Sequence, residues 1–347
     1  MPAIVEGTDD STSALTRALR EASLAGGELP VLPSSTASID GKGKQDVVEP
    51  VTGAAPSPAL SEETAASETT AIIADNGGFT VAGADYAGKT AAVMTVEALD
   101  PDKPNQRFID GCPGDLEEAK RRWRNTLQWR KDFGADGILE KPHKFFDLIK
   151  ESYPHWYCCE GRTGQPVYYE RSGQVDQCRM RAAGCGVEEL VWHYIWMTEF
   201  CYNQLHPSET AKTITILDVQ GVGIRDLAGE AFDFLRRSIH LIGEHYPERS
   251  LVIMIVGAPT WFSVLWRIIR PLVNERTQKK VKICSKKETF ETIKEFVAPE
   301  FIPVEYGGLL KYSDQPDSCR RNSPEEVRMR EFVLAVNKRH GVEMVKG

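Results

Sequence analysis

The stretch from His245 to Cys284 constrains the fold more than any other part of the chain. It opens with a continuous apolar run, Leu251–Val256 (LVIMIV). That run is too short to cross a bilayer and suits a strand buried on both faces, as in parallel sheets covered by helices. An amphipathic pattern follows over Trp261–Val273. Ser263, Arg267, Arg270 and Asn274 recur at helical spacing on its polar side. Trp261, Leu265, Ile268, Ile269, Leu272 and Val273 fill the other side. Pro271 disfavours α-geometry at Arg270 and predicts a hinge or kink there. Arg276, Lys279, Lys280 and Lys282 then form a basic patch.

The chain has 347 residues, room for two average domains or one larger domain with a tail. Its net charge of −8 is unevenly spread. Residues 1–98 carry 14 Asp/Glu against 5 Lys/Arg, and the remainder carries 36 against 37. A near-neutral remainder excludes a general nucleic-acid binder, which needs a strongly basic domain. The tail is rich in Ala, Ser, Thr, Gly and Glu, with Phe79 and Tyr86 its only aromatics. It cannot bury enough apolar surface to offset its ordering entropy, so residues 1–98 are expected to be disordered. A transient helix is expected at Ser13–Ser23 and a weakly ordered patch at Phe79–Val96. Glu6, Asp9 and Asp10 suit neither a signal peptide nor a transit peptide. The eight cysteines all follow residue 98, with Cys158 and Cys159 adjacent and no CxxC. Reduced thiols in a cytoplasmic protein are expected.

Order is expected from near Asp100. A small helical lobe, 105–151, holds a helix capped by Asp115 and carrying Leu116, Ala119, Trp123, Leu127 and Arg130 until Gly134. A second helix covers about Lys144–Lys150. Strands are then predicted at Gln165–Arg171, Lys212–Val219, Ser250–Val256 and Val281–Ile283. Helices are predicted at Val187–Gln204, Arg225–Glu244, Trp261–Val273 and Glu288–Phe296. This alternation implies an α/β domain, 152–310, with a mainly parallel mixed sheet and right-handed crossovers. An extension, 311–347, carries a helix at about 323–339, opened by Ser323-Pro324-Glu325-Glu326, with Val327, Phe332, Val333 and Val336 as its apolar set.

Candidate chemistry is sparse. Asp218-Val-Gln-Gly221-Val-Gly223 sits where a dinucleotide loop would, but GxGxxG fails at Asp226, so a tight turn is the favoured reading. A Rossmann-like oxidoreductase is the rival that this loop leaves. Neither GxxxxGK[ST] nor GxSxG occurs. His155, Cys158 and Cys159 lack a fourth ligand at suitable spacing, and His240 and His245 are five apart. No metal, cofactor or catalytic residue is expected. Thr213 and Thr215 alternate along a strand and share one face with Leu217. Taken singly, these threonines, Tyr157, Tyr168 and Glu248 read as structural. Between Ser263 and Phe290 eight Lys/Arg stand against Glu275 and Glu288. Beside Trp261, Phe262 and Trp266 that charge fits an interfacial helix meeting anionic lipid, where each basic residue adds ~1 kcal/mol. We read the helix as a lid over an apolar cavity, touching membranes through Trp261, Phe262, Leu265, Trp266, Ile269 and Pro271.

Several motifs occur in a telling order: Trp129-Arg-Lys-Asp-Phe-Gly-Ala-Asp-Gly-Ile-Leu139, Gly164-Gln-Pro-Val-Tyr168, Thr215-Ile-Leu-Asp218, Tyr246-Pro-Glu-Arg249, Gly257-Ala-Pro259 and Pro303-Val-Glu-Tyr-Gly-Gly308. Over about residues 105–310 the chain resembles the CRAL-TRIO lipid-binding domains, most closely the phosphatidylinositol/phosphatidylcholine transfer proteins of that family. The resemblance implies a small helical lobe packed on an α/β sheet, with a gating helix over a cavity holding one lipid. By matching position it marks Arg130, Lys131, Pro166, Glu248, Thr277 and Lys280 for a phosphatidylinositol headgroup. Charge-assisted bonds around a phosphodiester are strong in a low-dielectric pocket. Lys279 adjoins Lys280, and alignment on Thr277 favours Lys280. It marks Tyr157, Tyr168, Thr213 and Thr215 for phosphatidylcholine, whose quaternary ammonium suits aromatic faces. The family's longer basic helix is replaced here by Arg107–Asp115, where Gly111, Pro113 and Gly114 imply a truncated lobe.

The reading is a monomeric, cytoplasmic lipid-exchange protein, transiently and peripherally membrane-bound. Phosphatidylinositol is its expected first cargo and phosphatidylcholine its second, and a phosphoinositide kinase is a conceivable recipient. Its rivals within the fold are a carrier of a retinoid, tocopherol or squalene, and a lipid-sensing adaptor.

Overall fold

The computed structural model describes residues 99–223 and 229–346. The expectations for residues 1–98, including Ser13–Ser23 and Phe79–Val96, lie outside the described residues, as does the start of the helix expected from Arg225. The sheet has five strands in chain order: β1 His155–Glu160, β2 Pro166–Arg171, β3 Thr213–Asp218, β4 Ser250–Val256 and β5 Val281–Ile283. β1 runs antiparallel to β2, and the other neighbours pair in parallel. β4 and β5 have the expected bounds. β1 was not expected. Its sequence, HWYCCE, does not alternate, because four successive residues are buried and both faces of the strand are covered.

Pleating sorts the strands into two faces. Trp156, Val167, Tyr169, Ile214, Ile216, Val252 and Met254 point to one face and form the main core with Ile293, Val297, Ile302 and Tyr306. Each large side chain buried there contributes ~1.5–3 kcal/mol. On the opposite face the register lines up Tyr157, Tyr168, Thr215 and Ile253 in one row. His155, Glu170, Leu217 and Ile255 make the next row. This second face is the one that matters for function.

The opening lobe contains α1 Gln106–Gly111 and α2 Leu116–Phe133. Asp115 caps α2 by accepting from the Glu118 N–H at 2.9 Å, and Gly134 ends it at φ 72°. Ala119, Trp123 and Leu127 are buried as expected, but Leu116, at the first turn of α2, is 50% exposed. Phe108 meets Trp123 edge to face at 5.2 Å, so the Gly/Pro-interrupted segment still supplies a short packed helix. Next come α3 Phe146–Ser152, α4 Gln177–Ala182, α5 Val187–Phe200 with a π turn at Cys201–Leu205, and α6 Glu230–His245.

The helix expected over Trp261–Val273 is shorter. α7 covers Phe262–Ile269, a 3-10 turn covers Arg270–Leu272, and Val273 is extended. Pro271 accounts for the break, since it has no N–H to continue an α-helix. Leu272 consequently leaves the apolar stripe and is 38% exposed. α8 Glu275–Gln278 and α9 Thr289–Lys294 follow.

At the C-terminus α10 Ser318–Asn322 precedes α11 Pro324–His340. α11 buries Met329, Val333 and Val336, whereas Val327, expected in its apolar set, is exposed. Its first turn caps the free side of edge strand β1. Glu326 accepts from the Tyr157 N–H at 2.9 Å, Glu325 from the Cys159 N–H at 3.2 Å, and Ser323 donates to the Tyr157 carbonyl at 2.8 Å. Glu326 also meets the buried Lys150 ammonium at 2.6 Å. An open sheet edge is thereby closed by side chains.

Candidate functional site

A cavity of about 490 Å³ lies against the second sheet face. Its sheet wall is Tyr157, Tyr168, Thr213, Thr215, Leu217 and Ile253, and α5 and α6 add Tyr194, Met197, Phe234, Ile239 and Ile242. Leu272 to Thr277 and Lys280 border it beyond α7. Apolar walls with a few convergent polar groups are what a ligand site requires. The polar groups fall into two sets.

The first set is built on the sheet. Tyr157 and Tyr168 are cross-strand partners with ring centroids 5.2 Å apart, and Tyr168 is level with Thr215. The Tyr202 hydroxyl lies 2.7 Å from the Thr213 hydroxyl and donates to the Arg249 carbonyl at 3.3 Å. Glu170 stands one step along the same face. It accepts from the Tyr168 hydroxyl at 3.1 Å, from the Ser172 hydroxyl at 2.8 Å and from Tyr153. Burial pushes its carboxyl above the usual range, and the three hydroxyls only partly offset this. No cation is among these partners. Burial also pushes the Tyr153, Tyr157, Tyr168, Tyr194 and Tyr202 hydroxyls up, so they remain neutral donors. Glu170 escaped the sequence reading. Its signal was present in Tyr168-Tyr-Glu170, two residues apart and therefore on one face.

The second set is charged. Glu248, at φ 56°, accepts from Arg276 Nε and from Lys280 Nζ, both at 2.8 Å. Burial alone would raise its carboxyl, but these two bonds bring it below the ordinary value. Thr277 borders the cavity beside them. Arg122 of α2 reaches the same end, donating to the Gly243 carbonyl at 2.6 Å. Arg107 donates to the Glu248 carbonyl at 3.4 Å. Sequence reasoning missed Arg122 because only tertiary packing brings α2 against the end of α6.

Arg130, Lys131 and Pro166, expected at the headgroup, are placed elsewhere. Arg130 is held between Asp136 at 2.6 Å and Glu199 at 2.7 Å, and the Tyr246 hydroxyl donates to Glu199. Burial disfavours its charge, yet Glu199 reverses the balance and keeps the guanidinium protonated. It is a partner in a buried pair of ion bridges and does not border the cavity. Lys131 is exposed on α2, and Pro166 is buried at the start of β2; neither borders the cavity. Trp261, Phe262, Leu265, Trp266 and Ile269, expected at the gate, pack with Leu217, Val219, Ile253 and Ile255, and Leu217 and Ile253 also line the cavity. Pro271 is exposed.

The Asp218–Gly223 loop is a tight turn, with the Gln220 N–H bonded to Asp218 at 2.9 Å. Gly173 packs directly against this turn, where a Cβ would come within 2.2 Å of the Gln220 carbonyl oxygen. His155 bonds His193. The His193 ring lies 2.8 Å from His155 and 2.7 Å from His143, and His155 Nδ1 donates to the Tyr153 carbonyl at 2.7 Å. Among the described residues no group of three or more His, Cys, Asp or Glu is arranged to hold a metal ion.

A five-stranded sheet with one face sealed and the other walling a tyrosine-lined cavity defines an α/β ligand-binding architecture. Residues 150–308 match the CRAL/TRIO domain. The chain is similar to the phosphatidylinositol/phosphatidylcholine transfer proteins SFH12 and SFH7 of Arabidopsis thaliana. Identity with SFH12 is 32%, covering 62% of this chain and 41% of that protein. With SFH7 it is 29%, covering 70% and 48%. The chain thus spans less than half the length of these two relatives. The SEC14 cytosolic factor of Kluyveromyces lactis is 29% identical over 63% of this chain and 74% of that protein. In the crystal structure of Sfh5 the same fold recurs, with a TM-score of 0.52 and 17% identity over 68% of this chain and 79% of that one.

Proposed function

We propose that this protein binds one phospholipid in the cavity and exchanges it at membranes, with phosphatidylinositol its first cargo and phosphatidylcholine its second. The observation that carries this reading is the pairing of two polar ends in one apolar cavity. At the charged end Arg122, Arg276, Thr277 and Lys280 offer donors to a phosphodiester, and Glu248 accepts from inositol hydroxyls or positions Lys280. At the sheet end, Tyr157 and Tyr168 offer faces to a choline ammonium, and Thr213 and Thr215 offer hydroxyls to its phosphate. Glu170 supplies the counter-charge there. No step makes or breaks a covalent bond.

Exchange requires an opening. The break at Arg270–Leu272 leaves α7 joined to the cavity wall by a short non-α segment, which serves as its hinge. Exposed Val264, Arg267, Arg270 and Leu272 give that region the mixed apolar and basic surface that meets anionic lipid. No helix among the described residues is long and apolar enough to cross a membrane. A peripheral, cytoplasmic role fits the name of the K. lactis relative.

Native mass spectrometry of the purified chain, followed by extraction and headgroup identification, tests the reading. One phosphatidylinositol or phosphatidylcholine per chain is the expected result. A retinoid-like or sterol-like species would replace the cargo while keeping the fold. Failure to load from liposomes would overturn the exchange function.

A further inference from the structure

The C-terminal half of β1 holds an arrangement that lipid binding does not use. Cys158 and Cys159 are neighbours in sequence, and their sulfurs lie 3.3 Å apart. Ordinary strand geometry would send adjacent side chains to opposite faces. Here the pairing register slips between Tyr157 and Glu160, and Cys159 adopts φ 65°. A left-handed conformation strains a residue with a Cβ, so the surrounding structure must hold it in place. The holding groups are identifiable. Glu325 of α11 accepts from the Cys159 N–H at 3.2 Å, and the Tyr312 hydroxyl lies 3.6 Å from its sulfur.

The two sulfurs are not equivalent. Cys158 is fully buried in the main core, while Cys159 is partly accessible. The Cys158 thiol donates to Cys159 and, with Tyr312, keeps the Cys159 thiol below its ordinary value in spite of burial. The same bond, with a second to Cys319, pushes the Cys158 thiol up. A partly accessible sulfur within hydrogen-bond reach of a phenol and of an adjacent thiol has the features of a redox-reactive cysteine.

We propose that Cys159 is a hydroperoxide-sensitive thiol and that Cys158 resolves its oxidised form as a disulfide between adjacent residues. In the first step the Cys159 thiolate attacks the terminal peroxide oxygen. A sulfur–oxygen bond forms, the oxygen–oxygen bond breaks, and the leaving alkoxide takes a proton to depart as an alcohol (as water, from hydrogen peroxide). In the second step Cys158 sulfur attacks Cys159 sulfur. The disulfide forms, the sulfur–oxygen bond breaks, and hydroxide leaves with the Cys158 proton as water. The peroxide is reduced by two electrons and the thiol pair is oxidised by two. Adjacent Cα atoms are ~3.8 Å apart, closer than the 4.4–6.8 Å usual for a disulfide, so the product is strained and readily reduced by a small thiol. The change is therefore reversible.

The test uses the unmodified full-length chain. It is exposed to hydrogen peroxide for increasing times, its remaining thiols are alkylated, and each cysteine is followed by peptide mass spectrometry. Cys178, exposed on α4, is the internal reference. Cys159 should lose alkylation about tenfold faster than Cys178. The peptide spanning both neighbours should appear two hydrogens lighter, and a thiol reductant should restore it. Cys158→Ser should leave Cys159 as a sulfenic acid that a dimedone-type probe traps. Oxidation of Cys178 as fast as Cys159 would overturn the proposal. So would over-oxidation of Cys159 in the unmodified chain without any pairing to Cys158.

Discussion

Glu170 accepts hydrogen bonds from three hydroxyls, whereas Arg130 lies between two carboxylates. Both side chains are enclosed, and they lead to opposite predictions. Glu170→Gln keeps the shape of the sheet wall but removes the counter-charge for an ammonium. It should weaken loading of phosphatidylcholine about tenfold, or ~1.4 kcal/mol, and leave phosphatidylinositol loading unchanged. Competitive loading from mixed liposomes reads this directly, and equal loss of both lipids would refute it. Arg130→Ala strands Glu199 in the interior and should lower stability by ~3–5 kcal/mol in denaturant unfolding, leaving the relative preference between the two lipids unaltered. Lys280→Ala should have the reverse signature, reducing phosphatidylinositol loading with little change in unfolding midpoint, because Lys280 is partly exposed. Tyr157, Tyr168, Thr213 and Thr215 were legible as a group because motif order marked them and strand alternation puts them on one face. The ion pairs of Arg130 were not legible, because a basic residue beside a motif tryptophan carries no sign in sequence of the two acids it meets.

At the scale of elements, α7 and the His143–His193–His155 line behave as units. Hydrogen bonding fixes the line's tautomers: His155 donates to a carbonyl, so it must accept from His193, which accepts from His143. Burial pushes His143 down to about 3 and drives His155 and His193 well below their ordinary value. All three are neutral in the folded chain near pH 7, while the unfolded chain takes up protons near pH 6.5. Their contribution is therefore complete above about pH 6.5 and is lost as pH falls from there toward about 3. The urea midpoint should drop between about pH 7 and about pH 5, and His143→Gln should make that drop shallower. An unchanged slope would show that the line does not govern acid sensitivity. For α7, Leu272→Asp places a charge on an exposed apolar position. It should slow vesicle-to-vesicle transfer several-fold at unchanged thermal stability. Most helices and strands were readable because caps, glycines and apolar periods mark them. β1 was not, since burial on both faces erases alternation; α7 ends at the break that Pro271 predicted at Arg270, although the apolar pattern runs on to Val273.

Across the whole molecule, the described residues bring the charged end, the tyrosine end and α7 onto one face of one sheet. Deleting residues 1–98 should leave lipid loading and transfer rates unchanged within twofold, since every described residue bordering the cavity lies beyond them. Loss of transfer on deletion would assign the acidic tail a direct role. The C-terminal helix is a different matter, because Ser323, Glu325 and Glu326 close the edge of β1 and Tyr157 of that strand borders the cavity. Sequence alone determined the α/β class, the presence of the four strands after β1, the resemblance to the CRAL/TRIO domain and the shared face of Thr213 and Thr215. These follow from periodicities and short spacings that a linear chain records. Only the tertiary structure decided that Arg122 and Glu170 border the cavity, that Arg130 does not, and that the Cys158 and Cys159 sulfurs turn toward each other. These contacts depend on which surfaces close against which, and on backbone conformations that burial and long-range hydrogen bonds impose.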